Sequence, residues 1–410
     1  MKKLLLLFLL SSIIFYTCTP DAKVIQSDAT SDLINPAVNQ SFTFYKYKDY
    51  IPGFMLSDFR LDTIMNGNVA SITRTLVTTG LPTNPNNPGI SDDKANLGRI
   101  LFYDKSLSAN GEVACASCHH QSKAFTDGLD FSKGLQGEST KRSSMSIQNL
   151  AFINNYFWDS RTKSLDELVK QPILNQVEMG NHSMSEVIDR LKTIRYYPEL
   201  FQNAFGSEGI NETSISKALL QFVQSIYSSN SRFDKSAPYN FQNFNSEERL
   251  GMELFNGKAD CNHCHAAPTF AAPDFEGGSY GENTNFTSLA VSLPDLLKTK
   301  AMTEGRTNNG LNATNSPDDM FKIPTLRNIT MTAPYMHDGR FQSLTEVIEH
   351  YDHGIVMNPS LDRALTTGEN NQVKAKRLNL TKQEKSALMA FLNTLTDPDL
   401  LTAPRYSNPF

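Results

Sequence analysis

The chain has 410 residues and a formal net charge of −5 at pH 7, with 39% hydrophobic and 20% charged residues. That length leaves room for two domains and an extension, and a mildly acidic chain without long charged runs argues against a nucleic-acid partner. Five cysteines in so long a chain do not make a disulfide framework.

Lys2 and Lys3 precede an apolar run from Leu4 to Tyr16. The run is too short to span a bilayer permanently and reads as an export signal over residues 1–17. Cys18 follows, where the lipid-modified first residue of a mature lipoprotein would stand and anchor the protein at a membrane surface. Phe15, Tyr16 and Thr17 depart from the usual Leu-small-small pattern, and a cleaved signal with an incidental cysteine is the alternative. Residues 18–85 form an extension and linker. They are rich in Thr, Asn, Asp and aromatics, and run into the Pro-rich stretch from Leu81 to Gly89, which can sustain neither a helix nor a central strand.

An internal repeat follows. Leu97 to Phe102 is a short amphipathic helix leading into Cys115-Ala116-Ser117-Cys118-His119. Leu250 to Phe255 leads in the same way into Cys261-Asn262-His263-Cys264-His265. Each half closes on a helical pattern. The first is Ile215, Leu219, Phe222, Val223 and Ile226. The second is Leu388, Phe391, Leu392 and Leu395, behind a capping box at Thr381 and Glu384. Ser228 to Asn245 is the junction.

Cys-x-x-Cys-His is the attachment signature of c-type haem: two thiols form thioethers and the histidine reaches the iron. Paired Cys-x-x-Cys zinc sites stand much closer together, at about 15–20 residues. The expected fold is mainly α, with two tandem cytochrome c-like domains, 86–235 and 236–400, each holding one covalent haem, and a C-terminal tail at 401–410. Covalent haem is attached outside the cytoplasm, in agreement with the export signal.

Several further segments resemble the bacterial di-haem cytochrome c peroxidases and their MauG relatives, from about Asn84 to about Asp397. They are Leu97 to Asp104, Phe157 to Arg161, Pro172 with Val177-Glu178-Met179, Pro324 to Asn328, and Thr332 to Gly339. The resemblance implies reduction of hydrogen peroxide at the first haem, with electrons from a small redox protein (a cytochrome c or cupredoxin) through the second. In the MauG branch the oxidising power is instead spent on a partner protein.

The resemblance also implies residue roles. Many members cover the first haem with a histidine from the loop after the motif. Here no histidine lies between His120 and His182, so the first haem is expected to be five-coordinate, with His182 or a methionine as the alternative sixth ligand. Glu178 is the expected distal acid–base group, which accepts a proton from peroxide and returns it to the departing oxygen. Leu168 replaces a glutamine that the family often has near this pocket. Trp158, the one tryptophan of the chain, is expected between the haems, as a carrier of an electron hole or as a core residue. With no second tryptophan, oxidation at longer range would use tyrosines such as Tyr335 or Tyr351. Tyr351 is the expected second ligand of the His265 haem, with His350, His353 and Met357 as competitors. A calcium ion between the domains would use Thr332, Pro334 and Ser143, the last in place of the usual asparagine. Arg327 is expected to pair with a haem propionate.

Two rivals stand beside a peroxidase. A pure electron-transfer protein would have two six-coordinate haems that ignore peroxide. A haem-based gas sensor would need an output domain, and residues 19–80 are too short and irregular to supply one.

Overall fold

The computed structural model describes residues 42–47, 89–153, 156–159, 161–271, 321–356, 363–368 and 373–410, with the backbone of strands at 23–25, 59–65 and 68–74. The expected export signal, Cys18 and Met357 lie outside the described residues. Among the described residues no helix is long and apolar enough to cross a membrane.

Strands are few and form antiparallel two-stranded ribbons: β1 (Lys23–Ile25) with β2 (Phe42–Phe44), β3 (Phe59–Met65) with β4 (Asn68–Arg74), and β5 (Thr366–Thr367) with β6 (Lys374–Ala375). Such ribbons cannot carry a core alone. Helices carry it: α1 (Asp92–Tyr103), α2 (Leu165–Leu174), α3 (Met184–Thr193), α4 (Tyr197–Phe205), α5 (Glu212–Gln224), α6 (Arg232–Ser236), α7 (Ser246–Asn256), α8 (Leu344–Glu349), α9 (Lys382–Asn393) and α10 (Pro398–Thr402). The four helices expected from apolar periodicity are α1, α5, α7 and α9. The Thr381–Glu384 capping box forms, with Thr381 N–H donating to Glu384 at 2.7 Å and Glu384 N–H donating to Thr381 Oγ1 at 3.2 Å.

Two apolar cores result. Leu97, Ile100 and Leu101 of α1 pack with Ile215, Leu219 and Phe222 of α5. Leu254 and Phe255 of α7 pack with Leu388 and Phe391 of α9. The two helix pairs cross in the same way. A Cβ on Gly98 would stand 1.9 Å from the Ala218 carbonyl oxygen, and one on Gly251 would stand 1.9 Å from that of Ala387. Only glycine lets the axes approach this closely, because the obstacle is backbone rather than a movable side chain. Gly98→Ala therefore destabilises the first domain by about 3 kcal/mol, the upper end of ordinary overpacking. Urea unfolding checks this, and an unchanged midpoint would refute the crossing argument.

The first core also recruits distant segments. Phe42 and Tyr47 of the extension enter it, and the Tyr47 hydroxyl donates to the Arg405 carbonyl at 2.6 Å. Leu400, Ala403 and Tyr406 enter it from the far end of the chain. Gln121 donates to the Leu400 and Ala403 carbonyls at 3.0 and 2.9 Å. Residues 401–410, read from sequence as a tail, thus strap the second domain to the loop after the first Cys-x-x-Cys-His motif. Burial of Tyr406, whose hydroxyl donates to the Ser225 carbonyl at 2.7 Å, holds the strap down.

Candidate active site

The first motif enters through a short 3-10 turn at Cys115–Ser117. His119 Nδ1 lies 2.8 Å from the Phe125 carbonyl oxygen. A carbonyl can only accept, so Nδ1 is the donor and Nε2 carries the lone pair, the arrangement that second-sphere bonding gives a metal-ligating histidine. Burial holds the His119 pKa below its ordinary value, so the ring is neutral. The second motif repeats this: a turn at Cys261–His263, and His265 Nδ1 donating to the Phe270 carbonyl at 3.1 Å. Burial lowers the His265 pKa to about 4. None of the four motif cysteines is disulfide-bonded. Burial pushes the Cys115, Cys118 and Cys261 thiols up to about 12, 11 and 12.

Cys261, Cys264 and His265 border a largely apolar cavity of about 250 Å³, which Leu388 also lines and which Tyr351 enters. Burial, with the nearby Cys264 and Cys261, raises the Tyr351 pKa in the metal-free chain. The phenol is therefore within electrostatic reach of the attachment thiols. The same cavity holds His337, whose buried Nδ1 has no hydrogen-bond partner among the described residues. An apolar cavity with two thiols, one oriented imidazole, a facing phenol and one unsatisfied polar nitrogen fits haem, which brings an iron, vinyl groups and carboxylates to meet them.

Trp158 sits where the halves meet. Its indole N–H donates to the Ser143 carbonyl at 2.9 Å, and its own carbonyl accepts from Lys322 N–H at 2.7 Å. Its ring meets that of His337 edge-on, with centroids 6.4 Å apart. The two residues are counterparts in the repeat. Tyr156 bridges to Thr162 as Tyr335 does to Phe341, and Phe157 and Met336 share positive φ values of 64° and 72°. The sequence places His337 in the Thr332–Gly339 segment, among the histidines free to act as a ligand, without giving it a role. Aligning Tyr156-Phe157-Trp158-Asp159 with Tyr335-Met336-His337-Asp338 shows it as the counterpart of Trp158.

Glu178 follows α2. The Asn175 amide donates to its carboxylate at 3.0 Å. Burial raises its pKa, and the charge of Arg161 partly offsets this. Its negative charge in turn raises both thiols of the first motif, so the fold brings Glu178 to that motif. Arg161 stacks on Phe157 with 3.5 Å to the ring centroid and donates to Gln171 at 2.9 Å. Leu168 packs against the first core. His182 is exposed, and so is His353; His350 rests against Phe341 with ring centroids 5.1 Å apart.

Arg327 is fully buried, and its guanidinium closes on both oxygens of Asp234 at 2.7 and 2.8 Å, with a further bond of 2.7 Å to the Pro268 carbonyl. A buried carboxylate already matches the planar fork. Ser143, Thr332 and Pro334 border one cavity. The Ser143 hydroxyl donates to the Met336 carbonyl at 2.9 Å and the Thr332 hydroxyl to the Ile329 carbonyl at 3.1 Å. Ser143 also fastens the halves directly, since its N–H donates to the His337 carbonyl at 2.9 Å.

Known proteins resemble this chain over most of its length. Residues 92–240 match a family described as di-haem cytochrome c peroxidase. The methylamine utilization protein MauG of Methylorubrum extorquens is 32% identical over 318 residues, covering 77% of this chain and 82% of that protein. A cytochrome c peroxidase of a Pseudomonas species is 32% identical over 329 residues, covering 77% of this chain and 84% of that one. Among solved structures, a MauG-like protein associated with microbial copper homeostasis is 33% identical, with a TM-score of 0.64, covering 78% of this chain and 94% of that one.

Proposed function

The chain belongs to the family of di-haem cytochrome c peroxidases and MauG and is an oxidoreductase of that type, and on that premise we propose that it reduces hydrogen peroxide at a five-coordinate first haem. The observation that carries this reading is Glu178, a carboxyl with a raised pKa whose charge reaches both Cys115 and Cys118. Each haem, when bound, supplies an iron that gains and loses electrons. Glu178 takes a proton from peroxide and returns it to the departing oxygen, and the Asn175 amide keeps its carboxylate turned to that task. Peroxide, two protons and two electrons give two molecules of water. His119 would hold the first haem, and His265 and Tyr351 would hold the second. A phenolate ligand favours the ferric state. Trp158, clasped by Ser143 and Lys322, supports charge exchange between the two sites.

The two electrons come from a small redox protein at the second domain, a cytochrome c or cupredoxin. A MauG-like use of the same oxidising power on a partner protein is the second reading. Tyr351 favours it, whereas the lack of a second tryptophan limits the route outward. In this reading residues 86–235 are the peroxidatic domain and 236–400 the electron-transfer domain, the chain is exported, and Cys18 carries a lipid anchor.

Addition of hydrogen peroxide to the oxidised holoprotein, without prior reduction, tests the open first site. An immediate change in the high-spin ferric spectrum is the expected result. A response only after half-reduction would mean a sixth ligand on the first haem, and a protein inert to peroxide in both states would be an electron carrier.

A further inference from the structure

Tyr351 stands in a π-turn, His350–Gly354, that continues α8. Turns of this kind insert a residue into a helix, strain its hydrogen bonding and recur at functional sites. Leu344, Ile348, Tyr351 and Ile355 all border the cavity, at helical spacing along one face. Among the described residues no hydrogen bond holds the Tyr351 hydroxyl, so the phenol takes its direction from the turn. The turn in turn depends on the residue beside it.

Asp352 is buried, with 5% of its surface exposed, and both carboxylate oxygens and the backbone carbonyl are engaged. Oδ1 accepts from Leu380 N–H at 2.9 Å, Oδ2 faces the Lys385 ammonium at 2.7 Å, and the backbone carbonyl accepts from Leu378 N–H at 3.0 Å. Lys385 also reaches Glu349, at the end of α8, at 2.6 Å. It projects from the first turn of α9, the helix fixed against Gly251 through Ala387. One ammonium thus ties the residue before the turn and the turn's middle residue to α9.

We propose that Asp352 and Lys385 are positioning residues for Tyr351, locking the π-turn so that the phenol stays in the cavity it shares with His265. This rests on the reading of Tyr351 as second ligand of that haem. Glu349, Asp352 and His353 bring three potential ligand atoms within 4.8 Å of one another, a spacing that could suggest a metal site. The cation there is Lys385, which already bonds both carboxylates. Losing the Asp352 carboxylate would free the Leu380 amide and one side of the Lys385 ammonium together, leaving the backbone bond from Leu378 to anchor the residue next to the phenol.

The test is the visible spectrum of the oxidised holoprotein, in which phenolate on ferric iron has its own charge-transfer absorption. Tyr351→Phe removes that absorption. Asp352→Ala and Lys385→Met are expected to lose most of it while the bands of the first haem stay unchanged, and Lys385→Arg is expected to retain it. Full absorption in both Asp352→Ala and Lys385→Met, with loss in Tyr351→Phe, would overturn the clamp and leave the ligand standing. A Tyr351→Phe spectrum identical to wild type would overturn the ligand reading and the clamp's purpose with it. If Asp352→Ala yields no holoprotein, Lys385→Met decides, since it leaves the Leu380 bond in place.

Discussion

Replacing Glu178 with glutamine lowers kcat/KM for hydrogen peroxide by about 10²–10⁴-fold, the span contributed by a positioned acid–base group. The substitution keeps the side chain's size, and its amide oxygen can still accept from Asn175, so both haems remain attached. What is lost is the ability to take and return a proton. The pH profile adds a second readout. Glu178 must be ionised to accept the proton, and burial sets its pKa above the usual carboxylate value despite Arg161. In the wild type kcat/KM therefore falls on the acid side, at a higher pH than an ordinary carboxylate would give. In Glu178→Gln that limb disappears. Stopped-flow mixing with peroxide across the pH range measures both, and unchanged turnover would remove Glu178 from the chemistry.

The largest expected loss of stability comes from Asp234→Ala, at about 3–5 kcal/mol, because removing one member of a buried ion pair strands the other. Burial alone would raise the Asp234 pKa. The charge and hydrogen bonds of Arg327 outweigh that and hold it below the ordinary value. The pair's stabilisation is thus fully present above the unfolded-state carboxyl pKa and is lost as pH falls through the lowered, folded-state one. The damage spreads to the second haem site. Arg327 holds the Pro268 carbonyl, and Leu326 N–H donates to the carbonyl of Phe270, which also orients His265. Denaturant unfolding of Asp234→Ala, with Arg327→Met/Asp234→Leu as the partner-free control, measures the pair. Equal stability of the single variant and wild type would refute the stranded-charge argument, and a control more stable than the single variant is expected.

The haem motifs, their two lead-in helices and the two closing helices were legible because each is written in contiguous residues. A thioether site needs Cys-x-x-Cys-His in one turn, and an amphipathic helix repeats its apolar residues within a few positions. The Thr381 cap is local for the same reason. Resemblance to known sequences carried Glu178 and Trp158 to their neighbourhoods, which no spacing rule would have done.

What the sequence determined by itself is the number of haems, the helical class and the repeat, because these depend on interactions between near neighbours in the chain. Only the tertiary structure decided the long-range pairings. Arg327 meets Asp234, 93 residues away in the chain, because the fork finds a buried carboxylate within reach. Ser143 bonds Met336 and His337 directly, because at this junction the hydroxyl and amide reach carbonyls of the other half. Tyr406 returns to the first domain because a buried aromatic ring gains more there than in solvent. Asp352 grips Lys385 because packing sets the first turn of α9 beside the turn that carries Tyr351. Partners distant in sequence are chosen by packing, and packing is settled only when the whole chain has folded.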